Sequence, residues 1–385
     1  MLGYRHTLRR AAVVTALSAA AALAAAQDHE LVLGHISSTT NPNSATNAQD
    51  ISLGYRVYFD RVNATGGVHG RKLRLLHRDD NLNATRMVEL TNELIADPSV
   101  IALVGFLNTA GLTEIAKLDL LAKGGIAMIA PLQGNRNIVG ATNMFPFRSG
   151  YTEEMQALIT EAKNTQKPRI AIVYMNTAFG PPSAAFADKA AKDSGLIVTA
   201  NLGYEVAPDI AEQSLRKAID AVVRSEPDAV LLLGAGKGAF DFVKGLRASA
   251  AGPTQIYGLS VLQLNDLVKV AGLEAAHGVV LSQAVPFPYS GTLPLTREFI
   301  KVMKEYAPNE PVNFMSLEGY AGAKIAVEAL RRAGPAPTRR KVIDALKSMG
   351  EYDLGGVSVR YSAKQRLGWR GVDLTIIGGT GKLIR

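Results

Sequence analysis

Few residue sets in this chain could do covalent chemistry. There is no cysteine, so disulfides, thiolate metal sites and thiol nucleophiles are all ruled out. No Gly-x-Ser-x-Gly elbow and no His-Glu-x-x-His pair occurs. After residue 26 the histidines are His29, His35, His69, His77 and His277, and none stands at metal-ligand spacing from another. Asp79-Asp80 is a carboxylate pair of the kind that can share acid–base work, but its place after an apolar run suits a turn approaching a helix. Gly234-Ala-Gly236-Lys-Gly-Ala239 has the spacing of a pyrophosphate cradle. The acidic residue expected about 20 positions later is missing from Thr254–Ser260, so a tight strand-to-helix turn is the plainer reading. Gly378-Gly379-Thr380-Gly381-Lys382 resembles a phosphate loop only superficially. Ile376 stands where its first glycine belongs and Leu383 where Ser or Thr belongs.

What remains is chemistry of recognition. Asn108 and Thr109 follow an apolar run and open a helix, where free backbone N–H groups and a hydroxyl can hold a carboxylate. Gln133 and Asn135 occupy the corresponding place after the next apolar run. Phe179, beside Gly180-Pro181-Pro182, could form an apolar wall or the edge of a core. Arg148 and Tyr151 flank the middle of the chain, where Arg148 could pair a ligand carboxylate or tie a hinge.

These groups sit at the ends of a repeating β–α pattern. Apolar strands are expected at 30–36, 72–77, 100–104 and 126–130, then at 170–174, 196–201, 229–233, 255–259 and 278–283. Helices fall between them: Ile51, Tyr55, Tyr58 and Val62 recur at helical steps, as do Met87, Leu90 and Leu94 behind the Asn83 cap. A helix over 110–123 is expected, with further helices at 151–166, 182–194, 237–250, 263–271, 293–306, 314–333 and 338–348. Strands near 356–360 and 371–377 close the chain. Strand–helix alternation with continuous apolar strands predicts an α/β fold whose parallel sheets are covered on both faces. Two such series predict two lobes, with binding loops at the carboxyl ends of the strands: residues 37–47, 105–110, 131–136, 175–181, 234–238 and 260–263.

Length and composition agree. The chain has 385 residues, 47% hydrophobic and 20% charged, an ordinary globular balance for two domains. Arg5, Arg9 and Arg10 precede an Ala-rich run that ends in Ala24-Ala25-Ala26, the plan of a secretory signal peptide over residues 1–26. Its removal lowers the formal charge from +8 to +5. The basic residues are scattered rather than interleaved with aromatics, which argues against nucleic-acid binding. An exported chain with no cysteine to lipidate is expected free in a periplasm.

Certain segments also carry a family resemblance. They are Asn63-Ala-Thr-Gly66-Gly67-Val68-His-Gly70-Arg71-Lys72-Leu73, then Asp79-Asp80, Val104-Gly105, Ile129-Ala130-Pro131, Arg169-Ile-Ala-Ile172-Val173-Tyr174 and Phe179-Gly180. From about residue 30 to 380 the chain resembles the leucine/isoleucine/valine-binding protein family, the type I periplasmic solute-binding proteins of branched-chain amino-acid ABC importers. The resemblance implies two Rossmann-like lobes joined by three crossovers, near Arg148–Gly150, Gln283 and Val359–Ser362. The first lobe would be 27–148 plus 284–359 and the second 149–283 plus 360–385. It implies a monomer that closes on a small-molecule ligand and docks on a membrane permease, with no enzymatic activity, metal or cofactor. By the same resemblance Thr109 would hold a carboxylate beside Asn108, and Leu132, Gln133 and Gly134 would supply the adjoining loop. Phe179 and Ala235 would face them from the second lobe. Ser260 would stand where the family carries the acid that pairs an α-ammonium, and Met315 where it carries a side-wall aromatic. Glu318 could replace the lost acid. With Ser260 uncharged, a carboxylate or amide with an apolar or aromatic body fits better than a zwitterionic amino acid. Two other functions share these features: a sensory protein presenting ligand to a receptor, and a dinucleotide-dependent enzyme built on Gly234–Ala239.

Overall fold

The structure is a computed structural model that describes residues 30–385; the expected signal peptide lies outside the described residues. The first sheet contains β1 (Glu30–Ile36), β2 (Lys72–Arg78), β3 (Val100–Val104), β4 (Met128–Ile129) and β5 (Met144–Phe145). Its order is β2-β1-β3-β4-β5 and every pairing is parallel. The second sheet contains β6 (Arg169–Met175), β7 (Ile197–Tyr204), β8 (Ala229–Leu233), β9 (Gln255–Gly258) and β10 (Val280–Gln283). The chain's end adds two more strands to it. Between β10 and that end, β11 (Gly350–Asp353), β12 (Ser358–Tyr361) and β13 (Arg366–Leu367) form a small antiparallel sheet. Then β14 (Asp373–Ile377) and β15 (Leu383–Ile384) extend the second sheet to the order β15-β14-β10-β9-β8-β6-β7. β14 pairs antiparallel with β10, so this sheet is mixed at one edge rather than wholly parallel.

The central strands show why the sequence reads as it does. β3 (VIALV) and β8 (AVLLL) are buried at every position, because helices cover both faces and no residue can point to water. Each sheet therefore has two hydrophobic cores, one per face. On the first sheet the helix Ala45–Ala64 buries Ile51, Tyr55, Tyr58 and Val62, the face its spacing predicts. It packs against the long helix Phe314–Arg332 through two glycines. A Cβ at Gly54 would collide with the backbone of Ser316, and one at Gly319 with that of Ile51. Glycine here lets the two backbones meet.

Three stretches of chain pass between the lobes side by side. Ser149 donates its N–H to the Ala284 carbonyl (3.4 Å), Trp369 donates to Phe147 (2.6 Å), and the Ser149 hydroxyl donates to Gly371 (2.6 Å). The first two passages lie near the positions the resemblance implies. The third does not. Val359 and Tyr361 belong to a core of the first lobe, and the Tyr361 hydroxyl donates to Pro146 (2.6 Å). The chain leaves that lobe only after β13, over residues 368–372. The expected helix over 110–123 is also broken: Asp119, at φ 52°, separates Thr109–Lys117 from Leu120–Lys123.

Candidate functional site

The strand ends of the two sheets face each other across a cavity of about 290 Å³. From the first lobe come Asn43, Ser44, Asn47, Leu82, Leu107, Asn108, Thr109, Ala110 and Leu132. From the second come Tyr151, Met175, Thr177, Ala178, Phe179, Val206, Ala235 and Val261. No charged side chain is among them. The lobes touch around the rim. Asn47 Nδ2 donates to the Val261 carbonyl (3.3 Å) and Gln263 Nε2 to Asp50 Oδ2 (3.1 Å). Gly236, at φ 65°, lies against the Asn43 backbone, where a Cβ would stand 2.6 Å from Asn43 Cα.

Asn108 is the most constrained residue of the wall. It is buried and non-glycine, yet holds φ 131°. That conformation is costly unless its surroundings enforce it, and they do. Its Oδ1 accepts from Gly111 N (3.2 Å), capping the helix Thr109–Lys117, while its Nδ2 donates to Asp80 Oδ2 (2.7 Å). Asp80 also accepts from Ser38 (2.5 Å). Burial raises the Asp80 pKa, against the opposing hydrogen bonds from Asn108 and Ser38. Asp80, read from sequence as a turn residue, is thus a positioning group for the wall. The helix it orients presents its first-turn N–H groups beside the Thr109 hydroxyl, a donor set with partial positive charge.

The residues singled out from sequence divide accordingly. Asn108, Thr109, Leu132, Phe179 and Ala235 line the cavity together. Gln133 is buried just behind: its Nε2 donates to Thr109 Oγ1 (3.1 Å) and its Oε1 accepts from Asn135 N (2.7 Å). Gly134 packs on Tyr151, its carbonyl accepting from Tyr151 N (3.0 Å). Met315 is buried in a first-lobe core and is not on the lining. Ser260 is not there either. Its N–H donates to Glu154 Oε2 (2.9 Å) and its hydroxyl contacts Arg148. Arg148 ties the hinge, pairing with Glu154 Oε1 (2.8 Å) and lying 3.6 Å from Glu318 Oε2. Its guanidinium sits 5.2 Å from the Tyr151 ring centroid, and that ring forms part of the cavity wall. Burial pushes the Glu318 pKa up to about 7, with Arg148 pulling the other way; its oxygens carry no hydrogen bond.

The loops expected at the strand ends contain most of the lining that single-residue reasoning overlooked, including Asn43, Ser44, Asn47, Met175, Thr177 and Val261. Leu82 and Val206 come from outside those loops, and no local signal marks them; Tyr151, noted beside Arg148 at the middle of the chain, also lies outside the loops. The Gly234–Ala239 motif forms the expected tight turn. Its second glycine serves lobe contact: the Asn43 backbone lies where a phosphate would have to approach. The parallel register of β1 and β2 brings His35 beside His77, ring centroids 5.5 Å apart. Burial pushes the His35 pKa down to about 4, and among the described residues no group of three potential ligands forms a metal site.

Two α/β lobes closing on a strand-end cavity define a class of bilobal ligand-binding proteins. The family described as Periplasmic binding protein matches residues 30–378, and the chain belongs to it. Leu/Ile/Val-binding protein BraC3 of Rhizobium johnstonii is 26% identical over 338 residues, covering 86% of this chain and 87% of its own. A substrate-binding periplasmic protein from Ralstonia solanacearum superposes with a TM-score of 0.84 at 28% identity, over 92% of this chain and 99% of that one. A fatty acid ABC transporter substrate-binding protein from Thermomonospora curvata shares the fold, with a TM-score of 0.81 at 20% identity over 93% and 91% of the two chains. The resemblance to the leucine/isoleucine/valine-binding family and the two-sheet α/β fold are borne out.

Proposed function

We propose that this protein captures a small organic molecule with an apolar or aromatic body and a carboxylate or amide end, and delivers it to an ABC permease. The two sheets with their helices would move as bodies about the three adjacent crossovers. Ligand contacts to both lobes would favour the closed arrangement. One observation carries the ligand class: the cavity is walled from both lobes by apolar and neutral polar groups, with no carboxylate among them. A buried ammonium there would lack a counter-charge and cost several kcal/mol. The nearby acids, Glu154 and Glu318, are spent on Arg148. A carboxylate or carbonyl oxygen has partners in the N–H groups at Thr109 and Ala110 and the Thr109 hydroxyl. A volume of about 290 Å³ is at the small end of ligand pockets, which supports a compact molecule. The relatives' names support capture of something near the size of a branched-chain amino acid.

A thermal-shift screen tests this. Short branched and aromatic carboxylates and their amides should stabilise the protein, by about 2.7 kcal/mol at 100 times Kd, and Thr109→Ala should weaken the effect. Stabilisation by free amino acids but not by the matching deaminated acids would refute the ligand class. Stabilisation by NADH alone would replace capture with dinucleotide chemistry.

A further inference from the structure

A second cavity of about 290 Å³ lies at the hinge and shares the 132–134 turn with the cleft. Leu132 faces the cleft, while Gln133 and Gly134 line the second cavity. Its other walls come from Val139 and Gly140, from the first crossover and from residues 364–370, which run from the turn before β13 into the third crossover. Lys364, Arg366 and Arg370 converge on it, and none of the three forms an ion pair among the described residues. Arg366 is half-buried, and among the described residues its guanidinium donates to the Gly140 carbonyl alone (2.9 Å). Burial without a counter-charge lowers its pKa, so its guanidinium is carried there at a cost. Glu153, the carboxylate on this wall, accepts from the Thr152 hydroxyl (2.7 Å). Trp369, the single tryptophan of the chain, completes the lining.

We propose that this hinge cavity binds a multivalent oxyanion, held by Lys364, Arg366 and Arg370 beside the Trp369 ring. Lys364, Arg366 and Arg370 outnumber the one carboxylate, Glu153, on this concave wall, and an anion with several oxygens offsets the excess positive charge through charge-assisted hydrogen bonds. Phosphate-bearing and polycarboxylate molecules share this chemistry. The site is separate from the cleft but joined to it, because Gln133 donates to Thr109.

The purified protein is titrated at low salt with pyrophosphate and separately with citrate. Trp369 emission and calorimetric heat are followed together. At least one anion should bind saturably. Lys364→Gln combined with Arg370→Gln should weaken it by about 10-fold or more, since each lost charge-assisted contact is worth over 1 kcal/mol. Both residues are exposed, so the double variant should fold, and Arg366→Gln should act in the same direction. Binding of pyrophosphate alone assigns a phosphate-bearing ligand; binding of citrate alone assigns a polycarboxylate. Absence of saturable heat and emission change with both anions, or equal affinity in wild type and variants, would overturn the proposal and leave these residues as solvated surface cations.

Discussion

Lobe closure should depend on pH through Asp50. This residue sits on the first-lobe helix Ala45–Ala64 and accepts from Gln263 of the second lobe at 3.1 Å. Burial pushes its pKa from an ordinary 3.8 up to about 6. Hydrogen bonds from Asn313 and Gln263 oppose the rise, while Asp266 and Glu310 add to it; Tyr289 also feels its charge. When the lobes part, Asp50 loses Gln263 and Asp266 and gains water, so its pKa falls toward the ordinary value. The closed state therefore binds the proton more tightly. Its contribution to closure is complete below about 3.8 and is lost as pH rises through about 6. By linkage, the closed-to-open ratio should fall by up to about 10-fold between about pH 5 and about pH 7.5, or about 1.4 kcal/mol. The cysteine-free chain lends itself to a paired label. Lys123→Cys and Asp209→Cys place fluorophores on exposed residues of different lobes, and energy transfer then reports the ratio. Asp50→Asn keeps an acceptor for Gln263, removes the charge, and should flatten the profile near its acid limit. A wild-type ratio indifferent to pH, or an equal slope in the variant, would refute the assignment.

Gly236→Ala should hold the lobes apart, because the new Cβ meets the Asn43 backbone. Overpacking of this kind costs about 1–3 kcal/mol, so affinity for a cleft ligand should fall by about 5-fold to 150-fold, with unfolding by urea affected much less. Arg148→Met strands Glu154 and Glu318 without their cation and should destabilise the protein by about 3–5 kcal/mol. The loss should be smaller below the Glu318 pKa of about 7, where that carboxyl is neutral; urea unfolding at two pH values reads both effects. Leu103→Ala, in the buried β3 strand, should cost about 2–5 kcal/mol, checked by the same measurement.

The fold was legible because its signals are local. β3 and β8 are continuous apolar runs, and the helix Ala45–Ala64 repeats its buried residues at helical steps. Gly66 and Gly67, at φ 96° and 75°, mark its end. Two-residue strands such as β4, β5 and β13 have too few residues to show a period, so no pattern marks β5 or β13, and the apolar run 126–130 is longer than β4 itself. The third crossover was misplaced for a similar reason: an exit from a lobe is defined by which core a side chain enters. Val359 and Tyr361 are as apolar as a second-lobe strand would be.

The site divides along the same line. Residue types and strand ends led to Asn108, Thr109 and Phe179 without any coordinates, because a parallel sheet must place its binding loops at the carboxyl ends of its strands; Leu132 and Ala235 came from the family resemblance. Only the tertiary structure could show that Asp80 holds Asn108 and that Ser260 faces Glu154 and Arg148. The same holds for Gly236, which meets Asn43, and for Glu318, which is drawn into the hinge. Each of those contacts joins residues tens to hundreds of positions apart. What decides them is how two lobes pack, and no periodicity within either segment carries that information.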